Sequence, residues 1–457
     1  MVALALGDML RGSNASSSNS STSSMDRSDT YVPCLSAQGC ESMEALQIDL
    51  ENHMVKQYIG CFDRYDTLTA ERTAWQHFVE DQPTSLVAAR VWWSHKPAGL
   101  PVTLVTQLSI GRLEQLRAQC ATWRGPLAAA IYIPLVNAEK QLSFDNIVRL
   151  ADAIGTVHSL VHSVNGTDYQ GCQLRVALMY ELFAEPRGAA LLRPINSLRN
   201  YARLMADTDL IFNVDVGLLP SASISDAFMD PRAVAEYTEA CRAGAAYVFP
   251  AFETSHCGSA DGADYANTVA LSGRAELRQG LDKKCVSMFE SKYPVFQNAT
   301  QYARWLNSSV PYRVQYHLHY EPSYMSWRWT TPWFDARYRG YGYNKGVQAA
   351  AMNATGATWF VSAHGFLVHR PARNHSGTDE GPTRAPPVKG SDGHGLRDAM
   401  FGHLAVLWQA AMTGLNATGK IEVRVESSFG RCMRALPWWQ PGWEPVPLPA
   451  PPPKRSA

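Results

Sequence analysis

The acidic residue Asp215 follows directly on a short apolar segment near the middle of the chain. Residues 209–214, DLIFNV, have turn-prone flanks and are typical of a sheet strand that is covered on both faces. In open α/β sheets, ligands and metal ions bind outside the carboxyl ends of the strands. We therefore expect the carboxylate of Asp215 to lie at the lip of a binding cleft.

Polar side chains also mark the segment just before this strand. Pro194 is suited to the start of a helix, and Asn196, Arg199 and Asn200 follow it at helical spacings. Those spacings put the three side chains on one helix face. There Arg199 can bind a phosphate or a carboxylate, and the two amides can bind hydroxyl groups. A solvated helix face is the alternative interpretation.

The elements that must position these residues alternate along the chain. Buried strands are predicted at residues 102–108, 128–135, 172–182 and 244–254. A helix is predicted at 143–161, between two of the strands, and a late helix at 392–415. Alternation at these lengths indicates a parallel sheet with helices on its faces. Short aromatic strands are expected beyond residue 312, one of them at 312–320.

Composition and charge are those of an ordinary globular protein. The chain has 457 residues, 46% of them hydrophobic, and its 41 basic residues balance 41 acidic ones. This balance gives no reason to expect nucleic acid or an anionic membrane surface as a partner. The sequence has no run of 18 apolar residues. We expect membrane association only through an N-terminal anchor that is not seen in this chain.

Potential glycosylation sites and cysteines indicate the compartment. The pattern Asn-x-Ser/Thr, without Pro between, begins at Asn14, Asn19, Asn165, Asn298, Asn307, Asn353, Asn374 and Asn416. These eight exceed what composition alone predicts and favour the lumen of the secretory pathway. There, two to four disulfides are expected from nine cysteines, and Cys34 and Cys40 bracket a loop that one bridge could close. Reduced cysteines in a cytosolic protein are the alternative.

Six segments in a fixed order carry a resemblance to a known family. They are VTLVTQLSIGRLEQL (102–116), the helix and strand at 194–220, FPAFET (249–254), PYRVQYHLHYEP (311–322), GYGYNK (340–345) and GFLVHRP (365–371). Together they resemble the LARGE-like glycosyltransferase family, whose members attach glucuronic acid or N-acetylglucosamine to glycans from UDP-sugars. The resemblance covers roughly residues 100–375. It implies a GT-A-type α/β fold with a mostly parallel central sheet flanked by helices.

This resemblance, with the composition, divides the chain into four parts. We expect a disordered Ser-rich N-terminus at 1–42, a stem or packing extension at 43–99, the GT-A domain at 100–436 and a Pro-rich tail at 437–457. The family resemblance implies a UDP-sugar as donor and a glycan or glycoprotein as acceptor. It also implies a place in the Golgi or endoplasmic reticulum lumen.

A metal site is a further implication of the resemblance. The family has a strand that ends in Asp-x-Asp and another that ends in a metal-binding His before Pro, and these match Asp215 and His369. Mn²⁺ or Mg²⁺ held there would neutralise the departing diphosphate. The second Asp is Gly217 in this chain, so we expect weak metal binding that Gly217→Asp would tighten. For His369, the alternative to a metal ligand is a structural histidine whose hydrogen bonds are made within the core.

The family pattern also assigns roles to the other polar residues. It implies donor binding for Asn196, Arg199, Asn200, Asn344 and Lys345, the last two in a glycine-rich loop that closes on the diphosphate. An inverting transfer needs a general base near the acceptor hydroxyl, for which Glu321 and Asp335 are the candidates and Glu321 is favoured.

Two functions are therefore considered. The leading hypothesis is a metal-assisted inverting glycosyltransferase that uses a UDP-sugar. The second hypothesis, motivated by Gly217, is a catalytically weak or inactive member of the family that binds glycans or protein partners.

Overall fold

The computed structural model describes residues 53–61, 85–94, 99–166, 171–371, 393–440 and 442. The predicted disordered segment 1–42 and most of the predicted Pro-rich tail lie outside these residues. So does the bridge considered between Cys34 and Cys40. None of the described helices is long and apolar enough to cross a lipid bilayer.

Strands and helices alternate through the first half of the described chain, as the sequence predicts. The strands are β1 Val87–Trp92, β2 Val102–Ser109, β3 Pro126–Val136, β4 Gln173–Phe183, β5 Leu210–Asn213, β6 Leu218–Pro220, β7 Ala245–Val248, β8 Ala251–Thr254, β9 Val286–Met288, β10 Tyr312–Val314, β11 Tyr324–Trp327, β12 Thr358–Val361 and β13 Leu367–His369. The α-helices are α1 His53–Gly60, α2 Leu113–Thr122, α3 Phe144–Asn165, α4 Pro186–Leu191, α5 Ile195–Leu204, α6 Ala222–Ala227, α7 Pro231–Arg242, α8 Gly262–Ser272, α9 Arg274–Asp282, α10 Tyr302–Asn307, α11 Asn344–Ala354, α12 Gly393–Thr418 and α13 Phe429–Ala435. Short 3₁₀ turns occupy Ile110–Arg112, Pro294–Phe296, Asn298–Thr300 and Pro437–Trp439.

A nine-stranded sheet forms the centre of the fold, in the order β1-β4-β3-β2-β5-β11-β7-β12-β10. Strands β4, β3, β2, β5, β7 and β12 run in one direction, whereas β1, β11 and β10 run in the other. A smaller sheet has the order β6-β13-β8-β9. The predicted α/β class, with a large sheet flanked by helices, is confirmed.

The strand order reverses next to β2. From β2 the chain passes through β3 to β4 on one side, and it then returns to place β5 on the other side of β2. A crevice opens where two neighbouring strands lead away to opposite sides of a sheet, outside their carboxyl ends. Residues that follow β2 and β5, Asp215 among them, therefore lie at this crevice.

The strands at the centre of the sheet are almost continuously apolar, as expected where helices cover both faces of a sheet. In β3, Leu127 and Ile131 pack in one core with Val157 of α3. Ala128 and Tyr132, which point to the opposite face, pack in a second core that includes Leu198 of α5. The second core holds α5 against the sheet beside the crevice.

Two of the predicted strands differ from the observed ones. Residues 244–254 form two strands in different sheets, β7 and β8, because Pro250 between them has no N–H to donate to a ladder. Its carbonyl instead accepts from Leu367 N at 2.8 Å. The strand predicted at 312–320 ends at Val314. A turn follows, in which Tyr320 N donates to His317 O, and it leads Glu321 toward the crevice.

Disulfides agree with the expected number. The bridges are Cys61–Cys432, Cys120–Cys172 and Cys257–Cys285, and Cys241 is a buried free thiol among the described cysteines. Bridges of this kind persist in oxidising compartments. Cys61–Cys432 also ties the end of α1 to α13, far apart in sequence.

Glycosylation at the predicted asparagines depends on their exposure. Asn298, Asn307 and Asn416 are exposed, whereas Asn165 and Asn353 are half-buried. Asn165 Nδ2 donates a hydrogen bond to Leu174 O at 2.9 Å, and Leu174 N donates one to Asn165 Oδ1 at 2.9 Å.

We predict N-glycans at Asn298, Asn307 and Asn416 when the chain is secreted from eukaryotic cells behind a signal peptide. Occupancy at Asn165 should be lower, because a glycan on its half-buried amide nitrogen would crowd the backbone of Leu174, to which that nitrogen donates. Peptide mass spectrometry before and after glycosidase treatment measures each site. A secreted protein with none of the three exposed sites occupied would contradict the prediction of a lumenal protein.

Candidate active site

A narrow cleft opens at the crevice between β2 and β5. Its walls come from the ends of these strands, from β11, and from the start of α11. Polar residues in the wall include Thr106, Gln107, Arg199, Asn213, Asp215, Lys345 and Gln348. The cleft thus brings together three residues that the sequence analysis singled out, Arg199, Asp215 and Lys345.

The carboxylate of Asp215 lies between two cations from different helices. Arg199 Nη2, on α5, donates to Oδ1 over 2.7 Å, and Lys345 Nζ, on α11, donates to Oδ2 over 3.3 Å. Burial by itself would raise the pKa of Asp215, but the charges of Lys345 and Arg199 bring it well below its ordinary value. Asp215 is therefore ionised throughout the physiological range, and it fixes both cations at the cleft.

Lys345 stays charged for the same reason. Burial would lower the pKa of this ammonium group, but the nearby carboxyl groups of Asp215, Glu321 and Glu290 raise it above its ordinary value. The side chain is 20% exposed, so the charge faces the cleft with little bulk water around it. A substrate anion that enters the cleft meets a cation that is already in place.

The glycine-rich loop before Lys345 is held in shape by Asn344. Gly340 and Gly342 adopt left-handed backbone angles, with φ of 77° and 127°. The Asn344 side chain accepts from Gly342 N at 2.9 Å and donates to Gly340 O at 3.3 Å. Asn344, which the sequence analysis assigned to donor binding, thus begins α11 and orients the adjacent lysine.

Asn196 and Asn200 bind the backbone of the segment that leads toward this loop. Asn200 donates to Phe334 O at 2.7 Å and accepts from Phe334 N at 2.8 Å. Asn196 donates to Asp335 O at 2.9 Å and accepts from Arg199 Nη1 at 3.1 Å. Both side chains are buried, and they lock residues 334–335 against α5.

The two candidate bases have different surroundings. The carboxylate of Asp335 is fully buried and paired with the guanidinium of Arg337 through both oxygens. Glu321 is half-buried, and its Oε1 packs against Gly346 in the first turn of α11. Burial raises the pKa of Glu321 above its ordinary value, although Lys345 lowers it in part. A carboxylate in such surroundings is suited to accept a proton.

Gly217 lies between Asp215 and β6, next to His369 at the end of β13. A Cβ atom at position 217 would lie 3.4 Å from His369 Nε2 and 3.2 Å from Arg112 Nη2. The ring of His369 also packs against Phe289, with centroids 5.3 Å apart. Position 217 therefore faces His369, as the family pattern implies, and it also faces a guanidinium.

These residues fit a divalent metal poorly. Both oxygens of Asp215 already bind cations, and Gly217 has no side-chain oxygen. Among the described residues, no group of three or more His, Cys, Asp or Glu side chains is arranged to hold a metal ion. A hard cation such as Mg²⁺ prefers an octahedral set of oxygens. Asp215 and His369 could provide two ligands of such a set, which is too few to hold the ion tightly.

Three further residues at the site were not singled out from the sequence. Thr106 Oγ1 and both polar atoms of the Asn213 side chain are buried without a hydrogen-bond partner, and both residues line the cleft. Asn213 is a polar residue in an otherwise apolar strand, which was the available signal, whereas Thr106 is one of several polar residues of β2. Arg112, in the turn after β2, has no such local signal, because only the folded chain places it beside Gly217.

Comparison with known proteins places the chain in a family. Residues 101–384 match the model of the family described as glycosyl-transferase for dystroglycan, Glyco_transf_49. The chain belongs to this family. Membership in Glyco_transf_49 confirms the LARGE-like resemblance.

Named relatives match the same part of the chain. Rat xylosyl- and glucuronyltransferase LARGE2 is 32% identical over 273 residues, which are 59% of this chain and 34% of that protein. Human LARGE2 is 31% identical over 271 residues, 59% of this chain and 33% of that protein. The glycosyltransferase-like protein gnt14 of Dictyostelium discoideum is 28% identical over 273 residues, 59% of this chain and 37% of that protein. The chain spans about a third of the length of these relatives.

Solved structures include a more distant match. S. aureus TarS 1-349 in complex with UDP-GlcNAc aligns with a TM-score of 0.32 and 9% sequence identity, over 74% of this chain and 71% of that chain.

We predict that Asn200→Ala destabilises the protein by about 1–3 kcal/mol, because it leaves the buried N–H and C=O of Phe334 unpaired. The exposed Asn416→Ala on α12 serves as control and should change stability by less than about 0.5 kcal/mol. Urea denaturation of both variants measures the difference. Equal midpoints for the two variants would show that the Asn200 bonds do not hold the segment.

Proposed function

We propose that this chain transfers a sugar from a UDP-sugar to a hydroxyl group of a glycan or glycoprotein. The observation that carries the proposal is the pair of cations, Arg199 and Lys345, which Asp215 fixes at the crevice beside β2. In a member of Glyco_transf_49, this is where a nucleotide diphosphate would bind.

The donor is recognised by charge and by hydrogen bonds. Arg199 can bind two phosphate oxygens with parallel N–H groups, and Lys345 adds a point charge. Thr106 Oγ1 and the Asn213 amide gain partners when the polar groups of a nucleoside enter the cleft. Preorganised cations stabilise negative charge as it develops on the leaving diphosphate.

Glu321 is the proposed general base. The acceptor oxygen attacks the anomeric carbon from the face opposite the diphosphate and inverts that centre. Its proton passes to the Glu321 carboxylate, and the bond to the diphosphate oxygen breaks, so that UDP leaves with the bonding electrons. Asp335 is less suited to the role, because Arg337 engages both of its oxygens.

The Mn²⁺ or Mg²⁺ implied by the resemblance would be bound weakly, through Asp215 and His369. Such an ion would add positive charge beside the diphosphate. In the mechanism above, Arg199 and Lys345 bind the diphosphate and Glu321 accepts the proton. These steps use only side chains of this chain.

The proposed location is the Golgi or endoplasmic reticulum lumen. Three disulfides among the described residues and three exposed glycosylation sites support an oxidising, glycosylating compartment.

A second candidate function is binding of glycans or partner proteins without catalysis. The observation that favours it is Gly217, which replaces a carboxylate of the family pattern. Transfer assays separate the two functions. The purified protein is offered UDP-glucuronic acid, UDP-N-acetylglucosamine and UDP-xylose with glycan acceptors, and UDP release is measured. Donor and acceptor binding without any turnover would support the second function.

We predict that Glu321→Gln lowers kcat by about 10²–10⁴-fold and leaves the affinity for UDP nearly unchanged, because an amide cannot accept the proton. The rate of the unmodified protein should rise with pH through the pKa of Glu321, since only the ionised form is a base. Because burial raises that pKa, the midpoint should lie above that of an exposed glutamate.

Glu239→Gln, at an exposed position on α7, is the matched control and should behave as the unmodified protein. A Glu321→Gln protein that keeps both its kcat and the acidic limb of the pH profile would rule out Glu321 as the base.

A further inference from the structure

Glu290 is an acidic residue near Lys345 and Asp215 that the proposed mechanism does not use. Its side chain is half-buried, and its backbone is left-handed, with φ of 54°. This conformation is unfavourable for a residue with a Cβ atom, and it recurs at ligand sites, where the surrounding structure maintains it. Within the described part of the chain, the Glu290 carboxyl group has no hydrogen-bond or salt-bridge partner. A ligand can therefore bind it without displacing a protein contact.

Contacts on both sides fix the position of Glu290. On one side the ring of Phe289 packs against His369, with centroids 5.3 Å apart. On the other side the chain forms short turns as far as Phe296, whose carbonyl accepts from Glu321 N at 3.0 Å. Glu290 thus lies on a segment that is held between His369 and the proposed general base.

The carboxylate of Glu253 differs from that of Glu290, because it has partners. The hydroxyl groups of Ser287 and Ser291 donate to its Oε1 at 3.1 Å and 3.4 Å. Glu321 resembles Glu290 instead, since it is half-buried and has no hydrogen-bond or salt-bridge partner for its carboxyl group among the described residues. Two unpaired carboxyl groups therefore lie near each other at the crevice.

The surroundings of Glu290 disfavour its negative charge. Burial raises its pKa, Lys345 lowers it in part, and Asp215 and Glu253 raise it further, so that it lies above its ordinary value. The charge of Glu290 in turn raises the pKa of Glu321. A further anion between these groups would add to the repulsion, whereas a hydroxyl group can donate to either of them.

The cations near the two carboxyl groups are paired or exposed. Lys345 and Arg199 bind the carboxylate of Asp215 at 3.3 Å and 2.7 Å. In the proposed function both of them also bind the diphosphate of the donor. Lys292, two residues after Glu290, has an exposed side chain. An uncharged sugar therefore suits this part of the crevice better than an acidic one.

An aromatic ring lies beside the same two carboxyl groups. Tyr341 is 46% exposed and stands between Gly340 and Gly342, which both have left-handed backbone angles. Burial raises the pKa of the Tyr341 hydroxyl, and the nearby charges of Glu290 and Glu321 raise it further. Exposed aromatic rings can pack against the C–H face of a pyranose, and the phenol hydroxyl adds a donor and an acceptor.

We propose that Glu290 and Tyr341 bind the acceptor sugar, with Glu290 accepting a hydrogen bond from one of its hydroxyl groups and Tyr341 packing against its ring. A neighbouring hydroxyl group then faces Glu321. The inference rests on the proposed function and specifies the substrate class of its acceptor. That class is an uncharged pyranose with two adjacent hydroxyl groups. A uronic acid is disfavoured, because its carboxylate would lie close to Glu290 and Glu321.

Binding of small glycosides to the full chain tests the proposal without any turnover. NMR titrations are made in the presence of UDP, with p-nitrophenyl β-D-xyloside, β-D-glucoside and β-D-glucuronide. These probes differ only in the group on C5, which is hydrogen, hydroxymethyl or carboxylate. The β-D-galactoside and β-D-galacturonide repeat the comparison with the other configuration at C4. In at least one series, the uncharged glycoside should bind about tenfold more tightly than the uronide, or better.

Glu290→Ala should weaken binding of the uncharged glycoside by about 10–100-fold, the usual effect of removing a hydrogen bond to a charged group. Lys284→Ala is the matched control, because Lys284 is exposed and has the same left-handed backbone, with φ of 59°. It should bind the glycoside as the unmodified protein does. Calorimetry should show a Kd for UDP within about threefold of the unmodified value in both variants.

Glu290→Gln tests the role of the charge and serves if Glu290→Ala does not fold, as circular dichroism will show. The amide keeps the size of the side chain and can still accept a hydrogen bond. Its preference for the uncharged glycoside over the uronide should therefore shrink, because one of the two repelling charges is gone. A merely structural role of Glu290 would leave this preference unchanged.

The outcomes distinguish this inference from the proposed function. If UDP binds but no glycoside does, or if the uronides bind as tightly as the uncharged probes, the acceptor assignment is wrong and the donor proposal stands. Equal glycoside affinities of Glu290→Ala and Lys284→Ala would also overturn the role of Glu290. If UDP does not bind, the donor proposal fails. A glycoside preference that depends on Glu290 would then still support the sugar site, in a protein that binds glycans without transfer.

Discussion

The ion triad of Asp215, Arg199 and Lys345 is the interaction on which the site depends. It joins the turn after β5 to helices α5 and α11, which belong to distant parts of the chain. Each cation would be expensive to bury alone, because a desolvated charge without a partner loses several kcal/mol of solvation. The carboxylate between them makes it possible to hold two positive charges in a cleft with little access to water.

The rest of the site follows from keeping these two helices in place. Helix α5 packs into the core through Leu198 and Tyr201, and its buried asparagines bind the backbone of the segment at 334–335. That segment leads into the glycine-rich loop, which Asn344 holds at the start of α11. The same α5 face that contributes a cation thus also determines where the second cation lies. A polar helix face can therefore be structural and functional at once.

Position 217 illustrates how a departure from a family pattern can be interpreted. From the sequence, a missing aspartate indicates a weakened metal site and a reduced activity. In the folded chain the position faces Arg112 as well as His369. A side chain at this position would have to share the space with both of these residues, and glycine leaves that space open. The charge requirement of a diphosphate can be met by fixed side chains as well as by an ion.

The sequence by itself determined the α/β class, the strands β2 to β5, the helix that begins after Pro194 and the family. These depend on local patterns, because the period of apolar residues reports which faces are buried. It did not determine that residues 244–254 divide at Pro250 between two sheets, or that Asn200 binds Phe334. Nor did it show that Lys345 meets Asp215 and that Arg112 faces Gly217. Those contacts join residues far apart in the chain, and only the packing of the whole sheet decides which distant side chains share a cleft.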